Sequence, residues 1–245
     1  MSQYNPVIVK KEVNDKHYYF VDGKFHPGVT TILHESMPMP FALKQWIGDL
    51  GNEKASMKMN KAADRGTAIH DACERLGLGE TVELHREFPE KRDQKTVVGF
   101  INWFNDYSPE ILHTEHIVAS KHGFAGTLDL HCKIGEDHWI IDYKATSGIY
   151  DSHKLQITAY QHAFEELTGI KPKRGILHLN PRTKKGYSFV TDIKIKKKDL
   201  TIDDYLVFLE VYKILNGGQI PEPNLVDVYP EKVSLFDKEI KNSRS

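Results

Sequence analysis

The sequence predicts an α/β fold with a mixed central β-sheet flanked by helices, preceded by an N-terminal β segment and a helical region. Three observations carry that expectation. Apolar residues recur at helical spacing through residues 53–78 and 93–107, then switch to a period of two between about 115 and 145. Turn residues punctuate the switch, with Gly123 and the stretch 135–138 closing successive strands. The order that results, helix, three strands, helix, strand, is an α/β plan.

Residues 7–33 read as a short β segment, VIVKKEV, HYYFVDG and FHPGVTTIL, with turns at Asn14-Asp15 and Asp22-Gly23. From about Thr30 to Leu50 the pattern becomes helical, interrupted by Pro38 and Pro40. Residues 53–78 are dense in helix formers, with Ala62, Ile69, Ala72, Cys73 and Leu76 as an apolar stripe. Gly66 inside that helix weakens it by roughly 1 kcal/mol relative to Ala, which predicts the close approach of another backbone there. A second amphipathic helix over 93–107 presents Val97, Phe100, Ile101 and Phe104. EHIVAS, AGTLDLHCKI and HWIIDYKA then form a β-meander. A helix over Ser152–Leu167 ends at Gly169, and RGILHLN and YSFVTDIKI are strands around a Lys184-Lys185-Gly186 turn. A last helix, about 197–216, closes at Gly217-Gly218, and the charged tail 231–245 reads as disordered. The expectation is one domain over 1–230, with the β segment and helices in 1–107 and the core in 108–230.

The 245 residues are 40% hydrophobic and 27% charged, as in an ordinary soluble domain. A net charge of −1 argues neither for nor against a nucleic-acid partner, because a cleft needs only local positive charge. Two cysteines, Cys73 and Cys132, cannot build a four-thiolate zinc or iron–sulfur site or a disulfide framework. The N-terminus lacks the apolar run of a signal peptide and no segment has the length of a membrane span, so a soluble cytoplasmic protein without membrane contact is expected. No Gly-rich loop follows a strand, which removes P-loop and dinucleotide folds.

The chemistry begins at IIDYKAT, residues 140–146. On a strand, Asp142 and Lys144 share one face while Ile141 and Tyr143 share the other. Burying both charges is costly unless they pair or bind an ion. Asp129 lies on the preceding strand at a similar distance from the turn, so the two carboxylates meet across a hairpin. Two carboxylates there repel, and a divalent cation such as Mg²⁺, which takes hard oxygen ligands and phosphate oxygens, removes the penalty. Lys144 then orients a water or neutralises charge growing on a phosphate. His70 and Glu74, at i and i+4 of one helix, supply a neutral imidazole and a further carboxylate for the same ion. Arg65 beside Gly66 is a candidate phosphate contact.

Four elements occur in order: Gly66-x-x-x-His70, Gly126-Thr-Leu-Asp129, Asp142-Tyr-Lys144 and Gln156-Ile-Thr-Ala-Tyr160. This succession resembles the RecB-like exonuclease branch of the PD-(D/E)XK nucleases, and HPGVTTIL (26–33) is similar to a segment of mitochondrial genome-maintenance exonuclease and phage exonucleases. The resemblance spans roughly residues 26–195. It implies a restriction-endonuclease-like core and hydrolysis of phosphodiester bonds with Mg²⁺ or Mn²⁺. It also implies His70, Asp129 and Asp142 as metal ligands, Lys144 as the catalytic lysine, and Gln156 and Tyr160 beside the site, holding DNA or ordering the lysine. The expected partner is DNA that is single-stranded or has free ends, and the expected setting is phage- or bacterial-type DNA processing in a bacterial cytoplasm. Members with a cysteine-bound iron–sulfur cluster differ from this chain, which cannot build one. Two rivals stand beside this reading: a structure- or sequence-selective endonuclease of the same fold, and a non-catalytic DNA-binding relative. Glu115 reads first as a solvated strand start and second as a cleft-lining acid, Lys194–Lys198 first as a solvated charge run and second as a phosphate-tracking one, and Trp46, Trp103 and Trp139 as packing residues.

Overall fold

The computed structural model describes residues 4–13, 16–218 and 220; the tail 231–245 lies outside them. The chain opens with a three-stranded antiparallel sheet, β1 (Ile8–Val13), β2 (Lys16–Val21) and β3 (Lys24–His26). Helices follow: α1 (Val29–Ser36), α2 (Phe41–Leu50), α3 (Asn52–Gly77), the short α4 (Leu84–Glu87) and α5 (Lys91–Tyr107). The central sheet is built from β4 (Glu110–Ser120), β5 (Phe124–Ile134), β6 (Asp137–Lys144), β7 (Lys173–Leu179) and β8 (Tyr187–Val190), in that order. Helix α6 (Asp151–Thr168) links β6 to β7; a two-residue pair, β9 (Lys194–Ile195) and β10 (Lys198–Asp199), precedes α7 (Ile202–Leu215). The sheet is mixed as expected: β6 and β7 run parallel, which needs the α6 crossover, and its other neighbours are antiparallel.

Helices cover both faces. On one, α6, α7 and α1 bury Phe124, Leu128, Ile140 and Ile176 together with Phe164 and Tyr205. On the other, α3 and α5 bury Leu130, Cys132, Ile141, Tyr143 and Leu177 with Ile69, Phe100 and Trp103. Each of these large side chains contributes about 1.5–3 kcal/mol on leaving water, so the sheet is anchored on both sides of Asp142. The N-terminal sheet caps the β4–β5 hairpin through Tyr19 and Val21 on Ala119 and Ala125.

Several sequence expectations change. VTTIL is not strand: Val29 begins α1, where Val29, Ile32 and Leu33 are buried at helical spacing. YSFVTDIKI breaks after Val190, and α7 starts at Ile202 rather than near 197, because Thr201 and Asp204 form a capping box there. Ala62 and Ile101 face solvent, and the apolar stripe of α3 is confined to its C-terminal half. Gly66 meets no neighbour: a Cβ there would have open space within 4 Å, so no backbone crosses at that point. Helix α3 is 26 residues long, about 39 Å at 1.5 Å per residue. Apart from Ala55, its first half is not buried, so with α2 it forms an arm that leaves the core just before His70.

Gly126, like Gly99, Gly175 and Gly186, is a position where a side chain is excluded. Its added Cβ would lie 2.5 Å from Cε1 of Tyr160, whose ring occupies the space above β5. Replacing Gly126 by Ala should destabilise the fold by about 1–3 kcal/mol through overpacking. Combining it with Tyr160→Leu should recover part of that loss, measured by urea denaturation as a double-mutant cycle. Additive losses would show that the ring and the glycine are not in contact.

Candidate active site

Asp129 sits where the sheet comes apart on both sides. Pairing of β5 with β6 runs from Ile134–Asp137 to Leu130–Ile141 and stops one position short of Asp129 and Asp142. Pairing of β4 with β5 passes from Thr114–Leu130 to His116–Leu128, leaving Glu115 and Asp129 out. Leu128 packs on the α6 side and Leu130 on the α3 side, although residues two apart on a regular strand share a face. The side-chain alternation of β5 therefore reverses at Asp129, although its register with β4 is unchanged there. The backbone amide left over, Tyr143 N–H, donates to Asp129 Oδ2 at 2.6 Å. A carboxylate thus takes the place of a strand.

Asp142 is 1% exposed. Its Oδ1 accepts from Gln156 Nε2 at 2.9 Å and from Lys144 Nζ at 2.9 Å. Its Oδ2 lies 2.7 Å from the same ammonium but is a buried oxygen with no hydrogen bond of its own. Burial pushes the Asp142 carboxyl up to about 6, against the pull of Lys144. Burial also raises Asp129, with Lys144 and the Tyr143 amide pulling it back. His70 Nδ1 stands 3.6 Å from Asp129 Oδ2, and its ring meets the Tyr143 ring edge-on at 5.7 Å. Burial, then the nearby Lys144 charge, holds His70 down to about 4, so at neutral pH it is an uncharged imidazole with a lone pair rather than an ion-pair partner. Glu74, one turn on, accepts a long 3.4 Å hydrogen bond from Thr114 Oγ1; Arg75 pairs with Asp71, Glu80 and Glu87 instead, and Lys61 with Glu90.

The geometry thus brings together His70, Asp129, Asp142 and Lys144, with Glu74 alongside. It gives other roles to three residues expected at the substrate. Gln156 and Tyr160, expected beside the site to hold DNA or order the lysine, are 8% and 4% exposed: Gln156 donates to Asp142, the carboxylate that pairs with Lys144, and Tyr160 packs on Gly126. Arg65 pairs through Nε with Asp93, which ties α3 to α5, while its buried Nη2 has no hydrogen-bond partner among the described residues. Much of the basic set is similarly committed, Lys173 to Asp137, Lys185 to Asp106 and Lys194 to Asp192 and Asp199. Trp103 is fully buried in the core.

Of two further residues of the site, the sequence suggests Glu115 only as a second reading and does not mark His153. Glu115 is no strand start: it lies in the middle of β4, opposite Asp129, with φ of 45°. That left-handed conformation is costly for a residue with a side chain and concentrates at functional positions. Burial and the Asp129 charge push its carboxyl up to about 7. No sequence signal marks a positive φ at a glutamate. His153, at the start of α6, is held down to about 3 by burial and by Lys144 and His178. Its proximity to Lys144 follows from α6 folding back over β6, a tertiary fact.

No family model matches the chain, and no curated protein matches it. Among solved structures, a chain named "Putative exonuclease" from Eubacterium rectale is similar with a TM-score of 0.42 at 14% identity, over 71% of this chain and 78% of that one.

Proposed function

We propose that this chain is a divalent-metal-dependent DNA exonuclease of the RecB-like PD-(D/E)XK type, with a restriction-endonuclease-like core around β4–β7 and DNA with free ends as substrate. The observation that carries the reading is the convergence of Asp129 and Asp142 at the gap in the sheet, with the buried Asp142 carboxylate held by Gln156 and Lys144. The donor types suit a hard dication, two carboxylates and a neutral imidazole, although their ligand atoms do not all lie within 4.8 Å of one another in this structure, so side-chain movement would have to close the set. Asp129, Asp142 and His70 would hold Mg²⁺ or Mn²⁺, and that ion would supply Lewis-acid polarisation of a phosphate and a more acidic water. Gln156 keeps Oδ1 of Asp142 occupied, which leaves Oδ2, paired with the Lys144 ammonium at 2.7 Å, as the oxygen that an ion would take over. Among the described residues the Lys144 ammonium pairs with Asp142, so it would turn toward phosphate once another cation neutralises that carboxylate. The exposed α2–α3 arm beside His70 supports a channel that admits strand ends.

The test is digestion of end-labelled linear and covalently closed single-stranded DNA with Mg²⁺ or with EDTA. Linear DNA should be degraded only with Mg²⁺, and closed circles should persist; circles cut as fast as linear DNA would make the enzyme an endonuclease. Asp142→Asn should abolish hydrolysis while leaving DNA binding measurable, and retained cutting would overturn the assignment.

Gln156→Ala should weaken metal affinity roughly 10–100-fold, as for other groups that orient a ligand. The pH dependence has a definite sign. Asp142 is raised above its unfolded value, so in the metal-free protein its ionisation lowers stability as pH rises through about 6. Cation binding needs the ionised form, so thermal stabilisation by Mn²⁺ should be large at pH 8 and fall as pH drops below 6. A metal-induced shift that is equal at pH 5 and pH 8 would contradict this.

A further inference from the structure

A second group of metal-ligating side chains lies at the far end of α6. His162 and Glu166 are one turn apart on that helix, and His122 occupies the turn between β4 and β5. One ligand atom from each falls within 4.8 Å of the others. His162 Nε2 is a buried nitrogen with no hydrogen-bond partner, 3.7 Å from Glu166 Oε1. Ligand atoms around a tetrahedral Zn²⁺ at 2.0–2.1 Å bonds are spaced about 3.3 Å apart, so small side-chain shifts close this set.

The carboxylate is held in advance. Glu166 Oε2 accepts from Ser120 Oγ at 2.6 Å and from the Lys121 amide at 3.0 Å, which leaves Oε1 turned toward His162. Such fixing of a ligand by neighbouring donors is how metal sites are oriented. Glu165 and Asp203 lie within electrostatic range of His162 and favour a dication. Lys121, the nearest cation in sequence, sets its ammonium over the Tyr4 ring at 5.2 Å.

We propose that His122, His162 and Glu166 form a binding site for a borderline divalent ion, Zn²⁺ in the first place, that staples the β4–β5 turn to α6. Two imidazoles and one carboxylate suit Zn²⁺, and Mg²⁺, which prefers oxygen, should compete poorly. Glu166 is ten residues beyond Gln156 on α6, about 15 Å along the helix, so this ion is separate from any at Asp142. The row His113–His131–His138 is a different case: its nitrogens are already paired, Nδ1 to Nδ1 at 3.0 Å and Nε2 to Nδ1 at 2.9 Å.

The test titrates Zn²⁺ into the whole chain and into His122→Ala and His162→Gln variants, by calorimetry and by thermal melting. His122 is exposed, so its loss should leave the metal-free melting temperature unchanged. Wild type should bind one more Zn²⁺ than either variant, undisplaced by excess Mg²⁺. At zinc about 100-fold above Kd its melting temperature should rise by about 5–10 °C, with most of that rise lost in His122→Ala. Zinc-soaked crystals should give an anomalous peak bounded by the three side chains. Equal stoichiometry and equal thermal shifts in wild type and His122→Ala would overturn the site, whatever becomes of the nuclease reading.

Discussion

The hydrogen bond from the Tyr143 amide to the Asp129 carboxylate is the constraint on which the candidate active site depends. A buried strand must pair its amides, and an unpaired one costs free energy comparable to a lost hydrogen bond. At this point β5 offers no strand carbonyl, because its ladder with β6 has ended at Leu130–Ile141. The Asp129 side chain pairs the amide and is thereby fixed next to Asp142. The defect in the sheet and the position of the carboxylate are one feature.

The same defect explains the surrounding electrostatics. Asp142, Asp129 and Glu115 are all raised by burial, and the Asp129 charge raises both Asp142 and Glu115 further. Lys144 is the main local counterweight, and it adds to the burial that keeps His70 neutral. The cores on either face, with Trp103, Phe100 and Tyr143 on one and Phe124, Phe164 and Tyr205 on the other, hold the strands against that repulsion. A rigid sheet packed on both sides confines the strain to the gap, where a cation would relieve it.

Much of this was legible in the chain, and the reasons are specific. The change of period near residue 115 marked the meander, and counting from the turn at 135 put Asp129 opposite Asp142 because an antiparallel register is fixed by its turn. The i, i+4 spacing of His70 and Glu74 put both on the side of α3 that meets β4 and β5. Other features needed the tertiary fold. Burial of Gln156 and Tyr160 depends on α6 crossing directly over β5 and β6, which period alone does not state. Gly66 was read as a crossing point when it marks the start of an exposed arm, since a helical glycine signals either. His122 and His162 are forty residues apart and carry no motif, so only the packing of a turn against a helix unites them with Glu166.

The most direct measurement of the central claim is the anomalous signal from crystals of the wild-type chain grown with Mn²⁺. The account requires an ion within bonding distance of both Asp129 and Asp142, with Lys144 swung off Oδ2 and the Tyr143 amide still bound to Asp129. Crystals saturated with Mn²⁺ in which Lys144 still bridges Asp142 and no ion lies between the two carboxylates would contradict it.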